Sequence, residues 1–187
     1  MKNISVYGIY GTRGELEDGI NALRTNSFRE EDISILLPEN VGNKDLKVEM
    51  NSKAPEGIAT GGVSGAVLGG ALGWLAGIGA LAIPGLGPFI AAGPILAALG
   101  GVGAGAAVGG LTGGLIGLGM PEAEAKRFEG RVKEGGILIS VHADNSEWAD
   151  RAEKILRASG ARDIQTSGEH SADYGKTDRP IARSASF

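Results

Sequence analysis

The stretch GGILISVHADNSEWADRAEKILRASGARDI, residues 135–164, has the pattern of a β-α-β unit. Ile137, Leu138, Ile139 and Val141 make a nearly continuous apolar run across 136–143. Such a run predicts a strand buried on both faces. Asp144-Asn145-Ser146-Glu147 then predicts a helix start, with Asp144 and Glu147 at capping-box spacing. Trp148, Ala152 and Ile155 recur at helical spacing and predict its apolar stripe, with Trp148 as a core anchor. Residues 161–166 close the unit as a short strand.

The same pattern stands near the N-terminus. Ile4 to Tyr10 reads as a strand, with Ile4, Val6 and Gly8 on one side. Thr12-Arg13-Gly14-Glu15 fits a capping box, and Leu16, Ile20 and Leu23 form a stripe. Residues 32–37 predict a second strand, closed by Pro38. Leu16, Ile20 and Leu23 match Trp148, Ala152 and Ile155 in register, so the chain carries an internal repeat of about 30 residues. One such unit is marginal alone, because a single helix covers little of its sheet. Two units predict an α+β fold, a ferredoxin-like βαβ-βαβ sandwich. Its halves are residues 1–56 and 122–168, the second opened by a charged linking helix over 122–134. Residues 169–187 read as a flexible polar tail.

Between the halves lies a different material. Residues 57–121 hold 22 of the 33 glycines and no Asp, Glu, Lys or Arg. Ala, Leu, Ile and Val fill the rest, unlike a flexible linker, a collagen repeat or a disordered tract. Gly57, Gly61, Gly65, Gly69, Gly73 and Gly77 recur every fourth residue, as do Gly101, Gly105, Gly109, Gly113 and Gly117. This spacing predicts two flat ridges for close helix packing and oligomerisation. Pro84-Gly85-Leu86-Gly87-Pro88 predicts the turn of a helical hairpin, with Gly93-Pro94 as a second break. The helices would run over 58–83 and 94–119, each about 39 Å long against a bilayer core of about 30 Å. Helices apolar all round belong in a buried core or a membrane. The expectation is a glycine-zipper hairpin inserted in a membrane; a soluble homo-oligomer hiding its hairpins in a shared core is the alternative. Lys53 on one flank and Lys126, Arg127 and Arg131 on the other favour ends at the cytoplasmic face of the inner membrane, against lipid headgroups. No signal peptide opens the sequence, so the chain is expected to begin in the cytoplasm. Further copies of the chain and the lipid bilayer are the expected partners.

Chemistry is sparse. Lys and Arg total 18 against 22 Asp and Glu, a net charge of −4, which argues against nucleic acid as a partner. Cysteine is absent and the histidines are two, His142 and His170, which argues against thiolate or multi-histidine metal sites. His142 two residues before Asp144 has the look of a general base with an orienting carboxylate. No nucleophile is tied to the pair by sequence, and an incidental histidine beside a helix cap is the plainer reading. Gly8, Gly11 and Gly14 stand at a strand-to-helix turn, where backbone amides can hold an anion. They do not form G-x-G-x-x-G, and a tight turn is the plainer reading. No catalytic residue, cofactor or metal is expected, and the chain reads as non-enzymatic. A small-ligand sensor, with its site at the loop around Gly11 and Gly14, is a further alternative.

The stretch quoted above and GIATGGVSGAVLGGALGWLAGIGALAIPGLGPFIAAGPILAALGG, residues 57–101, together resemble bacterial general-stress proteins of the 17M/YflT type and low-temperature-induced proteins. The resemblance spans about residues 4–168 and rests on layout: a split sheet domain with a glycine-zipper insert. The resemblance implies a stress-induced protein and supplies no catalytic motif; with the glycine-zipper reading above, the expectation is a membrane-associated stress-response protein that self-assembles. The layout also resembles the small ActD-type subunit of a quinol-oxidising respiratory complex, as a scaffold without haem or iron–sulfur ligands.

Overall fold

The computed structural model describes residues 4–38, 75, 79–83, 86–100 and 104–168. The fold is α+β. Six strands form one antiparallel sheet: β1 (Ile4–Tyr10), β2 (Ile33–Pro38), β3 (Gly79–Ile83), β4 (Gly87–Ala92), β5 (Ile137–Ala143) and β6 (Arg162–Gly168). Their spatial order is β3-β4-β2-β5-β1-β6. The helices are α1 (Arg13–Thr25), α2 (Pro94–Gly100), α3 (Ala104–Gly117), α4 (Glu122–Lys133) and α5 (Ser146–Ala158).

Local sequence accounts for the two repeat units. Thr12 caps α1: its side chain accepts from the Glu15 amide at 3.2 Å, and the Glu15 carboxylate accepts from the Thr12 amide at 3.1 Å. Leu16, Ile20 and Leu23 are fully buried, as the stripe predicted. In the second unit the cap sits one residue later than expected. Asn145, not Asp144, accepts from the Trp148 amide at 3.0 Å. The inward stripe shifts with it to Ala149, Ala152 and Leu156, while Trp148 and Ile155 are partly buried at its margin. Trp148 packs edge-on against Phe28, with ring centroids 5.1 Å apart, and the Arg151 guanidinium lies 4.6 Å from its ring centroid.

The sheet has two buried faces. Val6, Tyr10, Ile33, Ile35, Ile139 and Val141 point to the face covered by α1 and α5, where Leu75 also packs. Tyr7, Ile9, Leu36 and Leu138 point to the other, where Ile95, Leu111, Leu115, Phe128 and Val132 cover them from α2, α3 and α4. This is why β5 reads as an unbroken apolar run.

The described part of the glycine-rich insert departs from the helical hairpin. Residues 79–83, expected at the end of a helix, are a strand that pairs with a second strand beginning at Gly87, one of the residues expected in the helical turn. β3 and β4 pair from Gly79↔Ala91 to Ile83↔Gly87, Gly87 takes φ +95°, and Pro88 lies in β4. β4 in turn pairs with β2, from Ile35↔Ala92 to Pro38↔Phe89. The physical reason is the edge of β2. Its amides and carbonyls need partners, and glycine-rich chain has little helix propensity to set against that pairing. The expected helix over 94–119 is two helices, and Gly110 inside α3 has a non-helical backbone, φ 56° and ψ −143°. The sites expected at Lys53, Gly61, Gly65, Gly69, Gly73, Gly77, Pro84, Gly85 and Gly101, as well as His170 and the tail, lie outside the described residues.

Candidate functional site

Three places carry features that ordinary core packing does not consume. The first is the uncharged helical layer. Within α3, Leu111 and Leu115 are buried against the sheet, while Ile116 is 42% exposed and is the one exposed large hydrophobic side chain among the described residues. Gly117 beside it has open space around it. Thr112 is the polar residue of this helix, and both its amide and its hydroxyl donate to Glu129 of α4. Burial raises the affinity of Glu129 for a proton, but Lys133 and Thr112 outweigh it and hold the carboxyl below its usual range. The close approach of α3 to α2 is made at Gly114, where a Cβ would collide with Leu99. Gly105, Gly109, Gly113 and Gly117 of the expected ridge also lie in α3. Gly114 stands one position round the helix from that ridge.

The second is an open cleft of about 470 Å³ where β1 ends, α4 passes into β5 and β6 begins. Gly11, Arg131, Glu134, Gly136, Arg162 and Asp163 are among its walls. Arg131 donates from Nε to Asp163 Oδ2 at 2.9 Å and from Nη1 to Glu134 Oε2 at 3.3 Å. The hydrogen bond to Glu134 and the charge of Asp163 raise the Arg131 pKa further above its ordinary value. Arg162 is 72% exposed, and its nearest carboxylate oxygen, on Glu15, is 3.9 Å away. That carboxylate is already engaged, since Glu15 Oε2 accepts from the Gly11 and Thr12 amides at 3.0 and 3.1 Å. The Gly11 and Thr12 amides that lead into α1, and the Glu15 amide in its first turn, are therefore filled from within the chain. Gly8 serves close strand packing, with its would-be Cβ 3.3 Å from Ala161 Cβ, and Gly14 faces open space.

The third is a polar patch in the sheet face beneath α2. Ser5, Ser34, Ser140, Asp32, Tyr7 and His142 surround a cavity of about 10 Å³, room for one water and no substrate. His142 Nε2 is 3.6 Å from Asp144 Oδ1. Sequence reasoning missed this patch, whose signal was one serine at the same phase in each of three strands: Ser5, Ser34 and Ser140.

No family model, curated protein or solved structure gives a significant match to the chain. Among the described residues no helix is long and apolar enough to cross a membrane, and no group of three His, Asp or Glu is placed to hold a metal. Of the expected headgroup contacts, Lys126 pairs with Glu122 at 2.6 Å. Arg127 is 3.9 Å from Asp163, and Arg131 is held as described above. Sequence reasoning found the loop at Gly11 but not Glu134, Arg162 and Asp163, which reach the cleft from distant segments.

Proposed function

We propose that this chain is a non-enzymatic assembly module of the bacterial stress-response type. It self-associates through its uncharged glycine-rich segment at the cytoplasmic face of the inner membrane. Its frame is a ferredoxin-like unit, β1-α1-β2 and β5-α5-β6, into which the glycine-rich segment is inserted. The order β2-β5-β1-β6, with every neighbouring pair antiparallel, supports that reading of the frame.

The observation that carries the function is the outward side of α3. A surface helix ordinarily turns charge to water. α4 and α5 do so, with exposed pairs such as Lys126–Glu122 and Arg157–Glu153. α3 has no charged residue over Ala104–Gly117 and presents Ile116 and Gly117 instead. The chain preceding β3 extends the same uncharged composition back to Gly57. Glycine and alanine surfaces permit close backbone packing, which favours a second copy or lipid over water.

The test is purification of the full chain without detergent, with particle size and lipid phosphate measured on the same fractions. A large, lipid-bearing species is expected. A large lipid-free species would leave the soluble homo-oligomer, a reading favoured by the way α2 and the inner side of α3 pack on the sheet. A lipid-free monomer would overturn both.

A further inference from the structure

We infer that the cleft between the end of β1, the α4–β5 connection and the start of β6 binds a small polyol phosphate: one phosphate group with hydroxyls beside it. The inference stands apart from the assembly reading.

Charge and reach define the ligand. The walls present two guanidinium groups, Arg131 and Arg162, and two carboxylates, Glu134 and Asp163. Arg131 is paired with both carboxylates. Arg162 is the cation with capacity left, because its nearest carboxylate is 3.9 Å away and already accepts two amides. A guanidinium with free donors matches the paired oxygens of a phosphate. Glu134 is 70% exposed and only its Oε2 is engaged, so Oε1 can accept from a hydroxyl. A polyanion such as a nucleoside triphosphate is disfavoured by the two carboxylates. Inorganic phosphate alone would leave the Glu134 acceptor unused.

The backbone is shaped around the same place. Pairing between β1 and β6 shifts register between Tyr7 and Ile9, a bulge that turns the start of β6. Asp163 there adopts φ +50°, a left-handed conformation that aspartate tolerates better than most side chains. That conformation is the one in which its carboxylate meets Arg131. Gly136, in the opposite wall, lets the start of β5 close onto the end of α4, since a Cβ there would meet the Arg131 carbonyl at 2.7 Å and Ile9 Cγ2 at 2.8 Å.

The same chemistry exists free, as a sugar or glycerol phosphate, and bound, as the headgroup of a glycerophospholipid. Equilibrium dialysis of the full chain against labelled sn-glycerol 3-phosphate tests the site whatever the particle size. Saturable binding of one molecule per chain is expected, with glycerol failing to compete. Arg162→Gln should weaken binding about tenfold or more, since a charge-assisted bidentate contact is lost. Arg24→Gln, the same charge change at the other end of α1, should leave binding unchanged. Binding that never saturates, or that is equal in wild type and Arg162→Gln, would overturn the proposal. So would displacement by glycerol. Displacement of the bound phosphate by phosphatidylglycerol vesicles, but not by phosphatidylcholine vesicles, would support the site and make a headgroup its ligand. Retention against both would support a free metabolite.

Discussion

Tyr10 and Gly19 show how single positions hold the first helix to the sheet. Tyr10 is fully buried, and its hydroxyl lies 2.6 Å from Ser159 Oγ. A Cβ on Gly19 would run into that ring, with Cζ at 2.8 Å, and would meet Ser159 Oγ at 3.1 Å. The ring has no free direction to retreat, being inside the core. Gly19→Ala should therefore cost about 2 kcal/mol by overpacking, despite alanine's better helix propensity. The midpoint of urea unfolding would read it, and an unchanged or raised midpoint would refute the crowding. Burial raises the Tyr10 pKa above its ordinary 10.0, chiefly by desolvating the phenolate. The folded state then holds its proton more tightly than the unfolded chain. This stability is fully present below the unfolded pKa and is lost as pH rises through the folded value. Stability should fall across about pH 10 and above, and Tyr10→Phe should remove part of that slope while costing about 1 kcal/mol at neutral pH. Identical alkaline slopes in the two proteins would disprove the assignment.

Among the elements, the connection from β4 to α2 has the tightest tolerance. Gly93 takes φ +72°, and a Cβ there would lie 2.5 Å from the Ile33 carbonyl oxygen and 3.0 Å from Ser34 Cα. Those neighbours are backbone of β2 and cannot rotate away. Gly93→Ala should cost about 2–3 kcal/mol, from left-handed strain together with the collision. Gly117, at the end of α3, has helical backbone and open space, so Gly117→Ala should be neutral or stabilise by up to about 1 kcal/mol. Measuring the two in one thermal-unfolding series tests whether glycine in this segment serves geometry or only composition. Equal effects would argue for composition.

At the scale of the molecule, helices cover both sheet faces, so the sheet is already a core and the outward side of α3 is surplus apolar surface. Ile116→Lys puts a charge on that surface without touching Leu111 or Leu115. Unfolding free energy should change by less than about 0.5 kcal/mol, as for exposed substitutions. Particle size in detergent-free preparations should fall. A variant that assembles like wild type would remove α3 from the contact.

Much of this was legible from short-range pattern. The strand at Ile4–Tyr10, the Thr12–Glu15 capping box, the stripe of Leu16, Ile20 and Leu23 and the doubly buried β5 follow from period, cap chemistry and apolar runs, which are local properties. The repeat of two β-α-β units follows from the same signals read twice. The fate of the described residues between 79 and 117 was not legible, because dense glycine cancels the helix preference of the alanines beside it and leaves the choice to the surroundings. There the unpaired edge of β2 drew in β4, and the face of Leu36 and Leu138 drew down Leu111 and Leu115. The cleft was legible only at Gly11, since Arg131 and Glu134 meet it through the pairing of β5 with β1, and Arg162 and Asp163 through that of β6 with β1. Sequence by itself determined the elements whose stabilising contacts lie within a few residues. Tertiary structure decided the rest, because a backbone edge, a buried face and a charge cleft exist only once distant segments lie side by side.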